Sequence, residues 1–201
     1  MAPAGPETAP EPAPIRWSWH AHTHGTPTDP VARDWLAGAL GVTPATLNLG
    51  REPRGRPRLG APQDGYDCSW SHSGDGLLIA LGHGVEVGAD CERLRPRPRA
   101  LDLAQRYFTA PERDWLAAFA AGAARDRAFL RLWCAKEAVL KAHGHGLSFG
   151  LEKLRFAEAG ARLALVECAA GLGRPRDWSL HEFEPASGYV AALAWRDPPA
   201  R

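Results

Sequence analysis

Two short stretches of the chain combine residue types that do ionic chemistry. In Gly88-Ala-Asp90-Cys-Glu92 the acidic residues are two apart, and on an extended strand such residues point to one face, so their carboxylates converge. Converging carboxylates are half of an oxygen site for Mg²⁺, although a solvated strand end has the same spacing. In Trp133-Cys-Ala-Lys136-Glu137-Ala-Val-Leu-Lys141, Glu137 and Lys141 share a helix face and Lys136 lies beside it. That pattern is either a surface ion pair or a third carboxylate for a metal on Asp90 and Glu92, with two ammonium groups to clamp phosphates. Lysine is scarce, since 21 of the 24 basic residues are Arg and only Lys136, Lys141 and Lys153 are Lys. A close lysine pair in such a chain fits a site that needs a compact ammonium, or it is chance.

Three other clusters carry weaker signals. Ser71-His72-Ser73-Gly74 sets an imidazole between hydroxyls in an expected short loop, but neither serine sits in a G-x-S-x-G that would make a nucleophile of it. Arg51 to Arg58, with Gly55-Arg56-Pro57 inside it, is a basic Gly/Pro loop suited to phosphate, or merely a soluble loop. His20, His22 and His24 alternate on one strand face, a spacing that also allows a zinc-dependent metallohydrolase; no acidic or distant His partner of convincing spacing follows.

The elements that must position these residues read as an α+β fold. Residues 1–14 carry five prolines and no periodicity, which predicts a disordered tail. A strand is expected from Ile15 to His24, a helix from Val31 to Leu40 closed by Gly41, and strands at Leu77–Leu81 and Val85–Cys91 joined by Gly82-His83-Gly84. The texture then turns helical: Leu101–Tyr107, a second helix opened by the capping box Thr109-Ala-Pro-Glu112, and a third from about Arg125 to His143 that stops at Gly144. Strands return at Leu154–Phe156, Leu163–Cys168, Trp178–Phe183 and Tyr189–Trp195. The order of elements in residues 15–84 is loosely echoed in 85–197, which predicts two similar half-domains, the second carrying the metal and catalytic motifs.

Composition narrows the function classes. A formal net charge of +1 argues against nucleic-acid binding by bulk charge, and 45 % hydrophobic with 23 % charged residues is ordinary globular composition. No apolar run reaches the ~18–20 residues of a membrane span, and the N-terminus lacks signal-peptide character, so a cytoplasmic protein that binds no membrane is expected. Cys68, Cys91, Cys134 and Cys168 are scattered without a C-x-x-C pair, the pattern of reduced, buried thiols.

Taken in order, G-R-P, S-H-S, G-x-D-x-E, F-T-x-x-E and W-x-x-K-E-A-x-x-K-x-x-G resemble the Sfp-type 4′-phosphopantetheinyl transferases over residues 31–157. Tyr107-Phe108-Thr109 before Glu112 and Gly144-His-Gly-Leu-Ser148 after the helix agree with the same family. The resemblance implies transfer of 4′-phosphopantetheine from coenzyme A to a serine of an acyl or peptidyl carrier protein, with Mg²⁺ (or Mn²⁺) and release of 3′,5′-ADP. It implies two half-domains with the site in the cleft between them, Asp90, Glu92 and Glu137 as the metal carboxylates, and Glu137 also as base. By the same resemblance Lys141 contacts the diphosphate, Ser71 and His72 the coenzyme A phosphates, and Arg56 stands where the family has the Lys of G-K-P. Arg33 resembles a basic residue at the 3′-phosphate, and Lys136 adds charge beside Lys141. The chain departs from the family in a short N-terminal half with few basic residues before Arg51. A monomer is expected, with Arg95, Arg97 or Arg99 steering an acidic carrier. A silent coenzyme A or carrier-binding module is the remaining alternative.

Overall fold

The computed structural model describes residues 14–198, so all of the expected tail except Pro14 lies outside the described residues. Ten strands and four α-helices follow one another as β1 (Ile15–Ala21), α1 (Asp29–Leu40), β2 (Leu49–Arg51), β3 (Pro57–Leu59), β4 (Tyr66–Ser73), β5 (Gly76–His83), β6 (Glu86–Arg93), α2 (Ala100–Tyr107), α3 (Ala110–Ala117), α4 (Ala123–His143), β7 (Leu154–Ala159), β8 (Arg162–Cys168), β9 (Ser179–Phe183) and β10 (Tyr189–Arg196). The fold is mixed α and β, as expected.

Two antiparallel three-stranded sheets organise it, ordered β1-β5-β4 and β6-β10-β9. β5 is buried along nearly its whole length because its two faces feed different cores. Leu77, Ile79 and Leu81 pack with Leu36 and Ala37 of α1, whereas Leu78 and Ala80 meet Val87, Ala89, Cys91 and Leu193 of the second sheet. α4 covers the other side of that second sheet, where Leu132, Ala135 and Val139 join Val190, Ala192 and Ala194. Its C-terminus is set by Gly144 at φ 85°, a left-handed conformation that a side chain would strain.

The turn at Gly82-His83-Gly84 joins β5 to β6 as expected, and the two strands belong to different sheets. Two local expectations are corrected. Ser71-His72-Ser73 is not in a loop; it is the end of β4, paired with β5 from Tyr66↔His83 to Ser73↔Gly76. The basic loop is the tip of a small hairpin formed by β2 and β3, with Glu52 N donating to Arg56 O at 2.8 Å.

The serines of β4 join the two sheets. Ser69 Oγ accepts from Ala89 N at 3.0 Å and Ser73 Oγ from Arg93 N at 3.1 Å, so hydroxyls occupy positions that a ladder of carbonyls would otherwise fill. Cys91 Sγ donates to Ser71 O at 3.3 Å within the same seam. Cys68, Cys91 and Cys134 are buried free thiols, and burial pushes all three up from the usual thiol range. None of the described helices is long and apolar enough to cross a membrane.

Candidate active site

Gly88 permits the central contact. A Cβ there would lie 1.9 Å from Ala138 O and 2.5 Å from Ala142 N, so α4 rests directly on the backbone of β6. Two residues further along that strand, Asp90 meets the helix at the level of Lys141, whose Nζ donates to Asp90 Oδ1 at 2.7 Å and to Ala89 O at 3.1 Å. Ser71 Oγ donates to the same Oδ1 at 2.7 Å, while Asp90 Oδ2 is buried with no hydrogen-bond partner. Asp90 is only 5 % exposed.

Glu137 completes the acidic group. It is 7 % exposed and accepts no hydrogen bond among the described residues; burial and then the Asp90 carboxylate push its carboxyl up to about 7, against the pull of Lys141. Glu92 is likewise raised, first by burial and then by Asp90, while Ser73 Oγ at 2.9 Å and Arg97 Nη2 at 2.8 Å both donate to its Oε2. Burial acts to lower the Lys141 ammonium, yet the Asp90 carboxylate outweighs it and holds that group above its ordinary range.

Three oxygen-donor side chains with an orphaned, buried carboxylate oxygen suit a hard dication better than a soft one. They are not a finished cage: among the described residues no group of three His, Cys, Asp or Glu is arranged to hold a metal ion. One oxygen of Asp90 is taken by Lys141 and Ser71, and one of Glu92 by Arg97 and Ser73. The three carboxylates therefore feel one another's charge without standing as ready ligands to one point.

Beside Lys141 opens a cavity of about 210 Å³, walled by Arg51, Arg54, Arg56, Trp70, Lys141 and Gly144. Arg56 is anchored by Asp67, which also accepts from Val87 N at 2.7 Å, and the Arg51 guanidinium lies over the Trp70 ring at 5.2 Å. Larger grooves, of about 500 and 570 Å³, lie elsewhere; none of these cavities is walled by the three carboxylates, and the 210 Å³ one reaches the cluster through Lys141. His72 is exposed on the next part of β4; burial, then His22 and Lys141, lower its imidazole below its usual range.

Several expected site residues stand elsewhere. Lys136 is fully buried, paired with Glu112 at 2.8 Å and donating to Leu151 O at 2.8 Å, so it locks α4 to α3 and β7 and reaches no phosphate. Glu112 also accepts from Thr109 N and Phe156 N, both at 2.8 Å, which makes its capping box part of this lock. Arg33 donates to Pro44 O, Leu47 O and Leu49 O at 3.0, 2.7 and 3.1 Å; its fork is spent on the turn before β2. Ser71 points inward to Asp90, a support for that carboxylate and not a phosphate contact. Arg97 turns in to Glu92 instead of standing out at the mouth of the site. Of the three histidines, His20 lies in β1, His22 is buried with its ring centroid 5.1 Å from that of His72, and His24 is exposed; with no three-residue group among the described residues, they form no zinc site. The serine seam was missed, and only the period-two Ser69, Ser71, Ser73 signalled it.

Comparison with known proteins places these residues in a common framework. Residues 86–194, which contain Asp90, Glu92, Glu137 and Lys141, match the family described as the 4′-phosphopantetheinyl transferase superfamily. The chain is 34 % identical over 166 residues to 4′-phosphopantetheinyl transferase HetI of Nostoc sp., covering 82 % of this chain and 67 % of that protein. It is 37 % identical over 170 residues to a putative 4′-phosphopantetheinyl transferase of Synechocystis sp., covering 80 % and 66 %, and 32 % identical over 124 residues to the 4′-phosphopantetheinyl transferase of Bacillus subtilis, covering 62 % and 53 %. The chain thus spans about half to two thirds of the length of the curated relatives it matches. With the family match covering more than half of the residues and the HetI likeness most of them, this chain belongs to the 4′-phosphopantetheinyl transferase superfamily.

Proposed function

We propose that the chain transfers the 4′-phosphopantetheine group of coenzyme A to a serine of an apo acyl or peptidyl carrier protein. The observation that carries this is the meeting of Asp90, Glu92, Glu137 and Lys141 next to a cavity walled by arginines. The site would lie between two half-domains, residues 15–84 and 85–197, each built on one of the two three-stranded sheets. The protein would act in the cytoplasm, as a monomer.

In the reaction, the carrier serine Oγ attacks the β-phosphorus of coenzyme A, a new P–O bond forms, and the bond to the bridging oxygen breaks so that 3′,5′-ADP leaves. Negative charge grows on the bridging and leaving oxygens. Lys141 at the end of α4 and Arg56 at the tip of the β2–β3 hairpin present fixed positive charge to it from the wall of the cavity, and His72, outside that wall on β4, would add a third contact when protonated. Mg²⁺, or Mn²⁺, held by Asp90, Glu92 and Glu137 would supply further neutralisation of the diphosphate. Glu137, whose carboxylate has no competing donor among the described residues, accepts the serine proton. Ser71 and Ser73 hold the strand carboxylates in place for this work.

Incubating the protein with a panel of apo carriers, coenzyme A and Mg²⁺, and weighing the intact carriers by mass spectrometry, tests the reading. The expected result is a gain of one phosphopantetheine on at least one carrier, abolished by Glu137→Gln. Binding of coenzyme A and carrier with no mass gain on any carrier would favour the silent binding module.

A further inference from the structure

Of the arginines that follow Glu92, only Arg97 is ion-paired with one of the three carboxylates among the described residues. Arg95 is exposed and has no ion pair among the described residues, and Arg99 is exposed, 3.7 Å from Asp102. Arg97 instead places Nη2 2.8 Å from Glu92 Oε2, with both side chains about one-fifth exposed, and its Nε is buried without a partner. A guanidinium with an unsatisfied buried donor is costly unless opposite charge holds it there. Here the opposite charge is in excess: three carboxylates, when all are ionised, face one ammonium, Lys141, so the cluster is two charges negative before Arg97 is counted. With Arg97 it is one charge negative. A dication that takes the place of Arg97 leaves the cluster neutral.

We propose that Arg97 is a built-in counter-ion which the metal must displace from Glu92, making it a positioning residue that sets metal affinity. This rests on the reading of Asp90, Glu92 and Glu137 as the metal carboxylates. The Glu92 oxygen that Arg97 and Ser73 share is withheld from an incoming cation, which accounts for three acidic side chains lying together without forming a ready cage. Pro96 and Pro98 flank Arg97 and restrict the backbone, so the guanidinium is released by rotation of its own side chain.

The test is Mn²⁺ binding to the full chain without coenzyme A, read by titration calorimetry and by the loss of the free-ion electron paramagnetic resonance signal. Arg97→Gln should bind Mn²⁺ roughly tenfold more tightly, the size of one partly screened charge-assisted hydrogen bond that the ion no longer has to break. Arg95→Gln removes the same formal charge from an exposed neighbour and should change the affinity less than about twofold. Arg97→Lys, which keeps the charge but loses the fork, should fall between, and it keeps the question answerable if the glutamine variant fails to fold. Tighter binding in Arg97→Gln that disappears when Asp90→Asn is added supports the displacement. Wild-type binding that needs Asp90 but is unchanged or weakened by Arg97→Gln overturns the inference and leaves the metal reading standing. Wild-type protein that binds no Mn²⁺ overturns both.

Discussion

Adding a single methyl group at Gly88 tests whether backbone contact between β6 and α4 assembles the site. The Cβ of Gly88→Ala would stand 1.9 Å from Ala138 O, where ordinary contact begins at 3.4 Å, so the helix must retreat by roughly 1.5 Å at that point. Neither Ala138 O nor Ala142 N can swing aside as a side chain would, because both belong to the helix backbone. Overpacking of this kind costs about 1–3 kcal/mol, and the rigidity of both partners puts this case near the upper value. For a chain of this size, about 3 kcal/mol lowers Tm by about 6–12 °C. The same retreat pulls Lys141 Nζ from its 2.7 Å contact with Asp90 and moves Glu137 with it. A displacement of about 1 Å at a reacting centre costs on the order of 100-fold in rate, so kcat for carrier modification should fall at least that far. Thermal melting and the intact-mass assay measure the two effects. Gly50→Ala is the comparison, since a Cβ at Gly50 meets nothing within 4 Å. A Gly88→Ala protein that melts and turns over like Gly50→Ala would refute the close approach and, with it, the account of how Asp90 reaches Lys141.

Two further outcomes are expected. Lys136→Met should cost about 3–5 kcal/mol in chemical denaturation, because it strands the buried Glu112 carboxylate, while the folded fraction keeps its KM for coenzyme A; a raised KM with unchanged stability would restore Lys136 as a phosphate ligand. His72 is held below its usual range by burial, then by His22 and Lys141, so its phosphate-binding imidazolium is the minor form at neutral pH and grows as pH falls through a value under 6.5. In metal-free protein, coenzyme A affinity should therefore rise as pH is lowered from 7.5 toward about 6. His72→Gln should flatten that rise, and pantetheine, which has no phosphate, should show none; a coenzyme A profile unaltered by His72→Gln would remove the residue from the phosphate site.

The helices were legible in the sequence because their signals are local. Thr109 and Glu112 do form the start of α3, and Gly144 does end α4. No part of β4 is legible as a strand, and its end least of all, since Ser-His-Ser-Gly has the composition of a turn. The burial of Ser69 and Ser71 follows from an edge of another sheet that only the tertiary structure supplies. The division of β5 and β6 between two sheets was hidden for a similar reason. A strand buried on both faces has no alternation to reveal which side pairs with what, and two adjacent apolar runs with a Gly turn look alike whether they share a sheet or divide between two.

The cations were the least legible part of the site, and α4 shows why. Glu137 and Lys141 are four residues apart, about 40° around the helix, whereas Lys136 and Lys141 are five apart, about 140° around it. Nearness in sequence groups the two lysines, but helix geometry sends them to opposite neighbours: Lys141 to β6 and Asp90, Lys136 to Glu112 and the carbonyls at the start of β7. The same logic applies to Arg33 and Arg97. Each has a guanidinium of the right charge for phosphate, and each is occupied, the first by three carbonyls and the second by Glu92. A basic residue is available to a ligand only when no nearer acceptor satisfies it. By that criterion Arg54, which has no ion pair among the described residues, is the least committed cation along the cavity wall, while Arg56 and Lys141 stand there already paired with Asp67 and Asp90 and offer a ligand only the charge those pairs leave over.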